Sequence, residues 1–539
     1  MNKPDYNELM ELTKDYIDTF DTIFRLTTLN EDEIDKLYND IKSKLIETKK
    51  VPLSDIFKAI QMAALYNNRY LNSYWLLFKK FFNEYHPLNG IEFVNQGFAA
   101  LYIKEYNTEY DESFDNLFSK TTLINGSLSL HEKNSIYWAI MFDNKDLFIQ
   151  LIEENDFDIN QIYSSAFYPI HDRGFSLIEL CCYYGAVNCF KLLRTKFKSQ
   201  ITDFCLDCSF LSGKPDIMNE CLKELKPSYE TMPYAIISHN IDFVMFLQNE
   251  YDLKFSLEDC VRYYNLHLFL VYLDQTKNIN ECFLFSPHFH CKSLCEYLLS
   301  HGADINSKSP YGETAIHNAV LENCKEIVEL LIIHGIEINV KNDYNVTPID
   351  IAATHKDNEL AEILISNGAD ISDLNPFRKT LINSSVMYAN EDTLKALIAK
   401  GVNWNAKEKI HGKTALHHAA QNNKFGMVEF LVAHDVDINS KDKYDKTPLH
   451  YAVINNNLQI EEFLISHGAD INAKDNQLKT AIHYAAEKNR KEILINLISH
   501  GIEINSKDNL GQTALHIASM LNNSEIVKIL VSHGADINA

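Results

Sequence analysis

The clearest periodic pattern of apolar and polar positions lies near the C-terminal end of the chain. Within Ser524–Ser532, Ile526, Val527, Leu530 and Val531 recur at a spacing of about 3.6, which predicts a helix with one apolar stripe. A shorter helix through Leu515, His516 and Ala518 precedes it. Thr513 stands where an N-cap oxygen accepts a backbone N–H, and Ala514 takes the first helical position, as Pro348 and Pro448 do in similar segments. Asn522 separates the two helices. Its counterparts Asn323, Asn423, Asn456 and Asn489 are the same residue, and asparagine tolerates the left-handed backbone such a turn needs. Gly534 stops the second helix. The Ala-Asp-Ile-Asn that follows is too short for another helix and reads as an extended finger leading to the next unit. One such helix pair cannot bury its apolar face alone, so neighbours must stack.

The unit recurs. A Thr-x-[Leu/Ile]-His-like box falls at Thr314, Thr347, Thr380, Thr414, Thr447, Thr480 and Thr513, with steps of 33, 33, 34, 33, 33 and 33. A second signal, His-Gly-Ala-Asp-Ile-Asn or a relative, follows each box by about 20 residues, at His334, Asn367, Lys400, His434, His467, His500 and His533; a further copy at His301 precedes the first box. A period of 33 with Thr414-Ala415-Leu416-His417 and Thr447-Pro448-Leu449-His450 resembles the ankyrin repeat. The expected fold is an all-α ankyrin-repeat solenoid of helix pairs with β-hairpin fingers, preceded by a degenerate helical-repeat domain. Its repeats are read as 309–341, 342–374, 375–407, 408–441, 442–474, 475–507 and 508–539.

Upstream the box fades while the rhythm persists. Counterparts of Ala319, the small residue of the first helix, fall at Ser286, Cys260, Ala235, Ser209, Cys181 and Ala139, with steps of 33, 26, 25, 26, 28 and 42. Steps near 26 leave room for two short helices without a full finger, and the step of 42 holds an insertion around residues 158–173. Residues 131–308 are therefore expected to be degenerate helix pairs. Residues 1–130 lack the rhythm, and the amphipathic segments Ser54–Leu65 and Tyr70–Tyr85 predict a helical cap rich in Tyr and Phe. The arrangement resembles the large ankyrin-repeat family of trichomonad protists, in which a domain of unknown function precedes ordinary repeats. The strings that carry the resemblance are Tyr66-Asn67-Asn68-Arg69-Tyr70, Leu180-Cys181-Cys182-Tyr183-Tyr184-Gly185-Ala186-Val187, Ala235-Ile236-Ile237-Ser238-His239-Asn240-Ile241-Asp242-Phe243 and Ser293-Leu294-Cys295-Glu296-Tyr297. Membership implies protein binding by the repeats and supplies no reaction.

Composition narrows the function. With 50 Lys+Arg against 74 Asp+Glu the net charge is −24, which repels phosphate backbones and anionic lipid, and no basic patch offsets it. Nucleic acid is not an expected partner. The longest apolar stretch, Leu266–Leu273, falls far short of the roughly 18 residues of a membrane span, so no membrane insertion is expected. The charged start lacks the apolar stretch of a secretory signal, and eleven scattered cysteines suit a reducing compartment. An intracellular, cytoplasmic protein is expected.

Candidate chemistry is thin. His317, His417, His450, His483 and His516 recur once per repeat, roughly 10 Å apart across adjacent layers, too far for one metal ion. They read instead as Thr-to-His bonds at helix starts that also tie neighbouring repeats. His334, His467, His500 and His533 sit where a ring can meet the free carbonyls of a helix end. Cys205 and Cys208 form a C-x-x-C, and His288, His290, Cys291 and Cys295 cluster later; the repeat register places Cys205 and Cys208 in one first helix and Cys295 in the core of a second helix. Gly412-Lys413-Thr414 has Lys407 where a phosphate loop needs glycine, and Gly174-Phe175-Ser176 lacks the closing glycine of a nucleophile elbow. No catalytic residue, cofactor or metal is assigned.

Partner-specific residues belong at outward positions that differ between copies. The finger tips carry Tyr311, Tyr344, Phe377, His411, Tyr444, Gln477 and Leu510, and the position before the box threonine carries a basic row, Lys379, Lys413, Lys446 and Lys479. Exposed first-helix positions add Leu321, Met387, Tyr388, Ile454 and Met520. Aromatic and Met anchors beside lysines predict a protein-binding groove that favours an acidic strip. The reading is a non-enzymatic interaction scaffold or adaptor that binds another protein on the concave face. The alternative is an enzyme or metal-dependent regulator with its site in residues 1–308. The last copy keeps an internal apolar pattern at Leu515, Ile517, Ala518, Ile526, Val527, Ile529, Leu530 and Val531, which predicts either a longer array or self-association through an open face.

Overall fold

A computed structural model describes residues 4–48, 50–87, 93–94, 96–106, 130–153, 157–165, 167–169, 174–352, 359–370, 404–405, 407–408 and 411–539. They form two compact units, Met1–Ser307 and Lys308–Ala539.

In the first unit six helix pairs follow one another. They are Ile136–Met141 with Lys145–Ile152, Leu177–Tyr184 with Val187–Lys196, Asp203–Ser212 with Pro215–Glu224, Met232–Ile237 with Ile241–Tyr251, Leu257–Arg262 with Leu266–Thr276, and Ile279–Phe285 with Lys292–Ser300. The small residues that set the register, Ala139, Cys181, Ser209, Ala235, Cys260 and Ser286, are all fully buried. A larger side chain there would push adjacent layers apart. The turns inside the pairs use left-handed residues at equivalent places, Asp143, Gly185, Gly213, His239, Tyr264 and His290. The expected insertion contains the only strands among the described residues, Ile162–Tyr163 paired antiparallel with Phe175–Ser176.

The N-terminal helices Tyr6–Leu12, Lys14–Phe24 and Leu53–Tyr66 of the same unit lie along these pairs, and Leu71–Tyr85 packs on Leu53–Tyr66. Polar bonds fix the packing. The Tyr183 hydroxyl donates to the Leu65 carbonyl at 2.8 Å, Asn68 donates to the Phe167 carbonyl at 2.9 Å, and His239 Nδ1 lies 2.6 Å from Asp21. Phe20 stacks on Tyr264 of the helix pairs, while Tyr74, Trp75, Phe78 and Phe81 are buried in the core of the N-terminal helices themselves.

In the second unit the pairs are Ala315–Leu321 with Lys325–Ile333, Pro348–Ala352 with Glu359–Ser366, Ala415–Gln421 with Phe425–Ala433, Pro448–Ile454 with Leu458–Ser466, Ala481–Glu487 with Lys491–Ser499, and Ala514–Met520 with Ser524–Ser532. Nearly all of the copy at 375–407 lies outside the described residues. Asn323, Asn423, Asn456, Asn489 and Asn522 all adopt positive φ, between 53° and 62°. The expected open face at the last copy needs correction. Ile517, Ala518, Ile526 and Leu530 are buried inside the array, whereas Leu515 and Val527 are half-exposed. Their counterparts elsewhere, such as Ile316, Leu416, Val328 and Val428, are completely covered. The second-helix stripe that faces its own first helix is therefore closed, and the residues left open are those facing away from the preceding copy.

Candidate protein-binding face

Thr314, Thr414, Thr447, Thr480 and Thr513 each open their helix through a two-way cap. The Thr hydroxyl receives a first-turn N–H while His Nδ1, three residues on, takes the threonine backbone N–H. Thr Oγ1 to His Nδ1 distances are 3.0 Å at His317, 2.8 Å at His417, 3.0 Å at His450, 3.0 Å at His483 and 2.9 Å at His516. Because Nδ1 accepts from a backbone N–H, Nε2 carries the proton and donates. In four copies it reaches the next finger, at Val346, Lys446, Lys479 and Ser506 carbonyls, over 3.1, 3.0, 3.3 and 3.0 Å. Burial lowers the pKa of all four rings, to about 4 at His417 and His450, so they stay neutral. Their role is structural. Where the box reads Thr347-Pro348-Ile349-Asp350, Asp350 rebuilds the cap, accepting the Thr347 N–H at 2.9 Å. The helix-end histidines close the second helices, His334, His467, His500 and His533 each lying 2.8–2.9 Å from a carbonyl four residues back.

The fingers are built from a buried base and an exposed tip. At five bases one side-chain oxygen, from Ser309, Asn342, Asp442, Asp475 or Asp508, accepts two N–H groups of the tip. Successive tips are joined by backbone bonds, as from the Asp343 N–H to the Tyr311 carbonyl and from the Asn476 N–H to the Tyr444 carbonyl, both 3.0 Å. The bases absorb the backbone polarity and leave the tip side chains outward. Tyr311, Tyr344 and Tyr444 are 59, 66 and 47% exposed, with Leu321 and Met520 also exposed. His411 and Tyr444 rings sit 6.5 Å apart, so some tip area is spent on the neighbouring finger. Ile454 is half-buried. Phe377, Lys379, Met387 and Tyr388 lie outside the described residues.

The lysines are more engaged than their spacing suggests. Lys413 Nζ lies 4.3 Å from the Tyr451 ring centroid and donates to Gln421 at 2.8 Å; Lys446 lies 5.1 Å from the Tyr484 ring. Lys479 approaches the same ring at 5.6 Å and pairs with Glu487 at 2.9 Å. Both tyrosine hydroxyls donate to the buried base aspartates, Tyr451 to Asp442 at 2.7 Å and Tyr484 to Asp475 at 2.5 Å. Tyr451 and Tyr484 were missed as members of this face. The signal was present, a tyrosine directly after the box histidine in adjacent copies, but its lysine partner comes from the preceding finger and so from a contact 38 residues away in sequence.

Cys205 and Cys208 share the helix Asp203–Ser212, and Cys295 is buried in Lys292–Ser300. All eleven cysteines are unbridged and buried, and burial pushes the thiols of Cys181, Cys260 and Cys295 up, which makes them poor nucleophiles. Among the described residues no three His, Cys, Asp or Glu side chains converge as metal ligands would, and no helix is long and apolar enough to cross a membrane.

Two family models match. Residues 197–272 match Domain of unknown function (DUF3447), and residues 286–375, 382–475 and 474–539 match Ankyrin repeats (3 copies). No curated protein matches the sequence. The matches address the repeat class and not its trichomonad branch. Ankyrin repeats support protein–protein interaction, through the extended surface their stacking creates. With capped helix pairs at a period of 33, fingers joined edge to edge and these two matches in order, the chain is an ankyrin-repeat protein whose array follows a domain of unknown function.

Proposed function

We propose that the chain is a non-enzymatic scaffold or adaptor that works inside the cell and binds a protein partner across the finger tips and exposed first-helix positions of residues 309–539. Residues 131–308 serve as degenerate repeats and residues 1–130 as their helical companion. The observation that carries this reading is the row of outward tyrosines, Tyr311, Tyr344 and Tyr444, on fingers whose polar backbone is already satisfied from within. Rigid, exposed aromatics on a fixed scaffold are the residues from which protein interfaces draw most of their energy. Lys413, Lys446 and Lys479 flank them, each with an ammonium group held over or beside a tyrosine ring, and Lys379, Phe377, Met387 and Tyr388 extend the same face in the proposal. Ile454 contributes its half-exposed edge.

Replacing Tyr311, Tyr344 and Tyr444 together with Ala should abolish capture of the partner by the full chain. The melting temperature should hardly move, because exposed tips carry little core energy. Capture that survives the triple replacement would place the partner elsewhere.

A further inference from the structure

The first helices of residues 1–307 leave an open cleft of about 630 Å³. Its walls are aromatic. Phe204, Tyr234 and Tyr263 come from three successive helix pairs, and Tyr66 is the last residue of the N-terminal helix Leu53–Tyr66. The Tyr66 ring meets Tyr234 at 83° with centroids 6.4 Å apart, and Tyr263 at 89° and 6.2 Å; Phe204 meets Tyr234 at 75° and 6.0 Å. Rings set nearly at right angles to one another make a box with several faces rather than a stack. Tyr66 and Tyr234 are only half-buried, so the box is open.

Three carboxylates line the same cleft, Asp203, Asp207 and Glu230, and none of its described lining residues is Lys or Arg. Asp203 and Glu230 are exposed and make no ion pair among the described residues. Asp207 is 6% exposed. One of its oxygens accepts the Thr231 hydroxyl at 2.7 Å. Burial pushes its carboxyl up to about 6, the direction expected of an acid held without a cation.

The two features together select a ligand. Aromatic faces carry negative potential and attract cations, and the carboxylates add net negative charge at the rim. An anion is repelled. A neutral apolar molecule would gain nothing from the acids, and a metal ion would need carboxylates that converge, which these do not. A bare ammonium is strongly hydrated and presents no carbon to the rings. We propose that this cleft binds an alkylated ammonium cation, carried either on a methylated lysine side chain of a partner protein or on a small quaternary ammonium compound. The site is separate from the finger tips and stands or falls independently of them.

The test is titration of the full chain with four probes by calorimetry. These are choline, its neutral tert-butyl analogue, and a short basic peptide carrying one trimethyl-lysine or the unmodified lysine. Choline or the trimethylated peptide should bind, while the neutral analogue and the unmodified peptide bind at least about tenfold more weakly. A peptide much tighter than choline identifies a side chain as the source, and equal affinities identify a small molecule. Tyr234→Leu should weaken binding by about tenfold or more, as cation–π and area losses combine. Because Tyr234→Leu could disturb folding, the exposed pair Asp203→Asn with Glu230→Gln provides a second variant, whose melting should match the parent while cation binding falls. Equal binding of the neutral analogue, or no binding of either cation, overturns the proposal.

Discussion

Leu478 holds a left-handed backbone, φ 57°, at a finger position where the other described copies place Gly312, Asn345, Gly412, Asp445 and Gly511 in the same region. A leucine pays a steric cost there of roughly 1–2 kcal/mol, partly offset in a glycine variant by the greater freedom of the unfolded chain. The side chain is 47% exposed, so little burial is lost on removing it. Leu478→Gly should therefore raise stability by about 0.5–1 kcal/mol in urea denaturation, and a lower midpoint would show that Leu478 packs more than its exposure suggests. The box histidines give a second prediction at this scale. His417 and His450 titrate near 4 in the folded chain and near 6.5 when unfolded. Between those values the unfolded chain binds protons that the folded one refuses, so stability is complete above about pH 6.5 and falls on acidification, by on the order of 2–3 kcal/mol per ring near pH 4. Replacing both by Asn should lower stability at pH 7 and flatten its decline between pH 7 and pH 5. An unchanged slope in the double variant would mean that other groups carry the acid sensitivity.

Between adjacent second helices of the described ankyrin copies, the apolar rule is broken at Glu461. Glu461 is fully buried at a position where Val328, Val428 and Leu494 stand in other copies, and it receives the Asn496 amide at 2.6 Å while its other oxygen has no hydrogen-bond partner among the described residues. Burial pushes its carboxyl up to about 7. A raised value has the opposite sign from the histidines: the neutral acid is tolerated at low pH, and the cost grows as pH rises through the folded value. Glu461→Leu should stabilise the chain by on the order of 2 kcal/mol at pH 8 and by less at pH 5. A loss of stability at both values would show that the Glu461–Asn496 bond contributes more than the buried charge costs. Helix pairs, caps and asparagine turns were legible because each depends on residues within one period, as Thr414 and His417 do. The histidine bridge to the next finger was legible because the period is constant. The packing of Tyr66 against Tyr234 and Tyr263 was not, since nothing periodic relates residue 66 to the helix pairs, and the union of rings with Asp207 exists only once the N-terminal helices fold back along them. Lys413 over Tyr451 was lost for a different reason, because a lysine before a box threonine reads as solvated charge until the neighbouring helix is in place.

At the scale of the whole molecule, the described end of the array differs from its interior in Leu515, His516 and Val527, two of them apolar. Leu515 and Val527 are half-exposed, although residues at the same register, Leu449, Ile482 and Leu494 among them, are covered by the following copy. Met520, Val531 and Ile537 add exposed apolar area nearby, at 69, 45 and 72%. We propose that a second copy of the chain covers this face, since it offers the same surface and would close the contact with two-fold symmetry. The net charge of −24 opposes close approach, so association should strengthen with salt, as screening removes repulsion while the apolar contact persists. Light scattering over a concentration series at low and moderate salt should show mass rising above 62.1 kDa, more steeply at the higher salt. Leu515→Glu with Val527→Glu should hold the mass at one chain under all conditions without moving the melting temperature of that monomer by more than about 2 °C, since both side chains are already partly in water. Replacing Ile526 or Leu530 instead would unfold the last helix pair and say nothing about the face, because both are core residues. A parent chain that stays at 62.1 kDa across the series, with or without salt, would show that the open face is not a contact between copies.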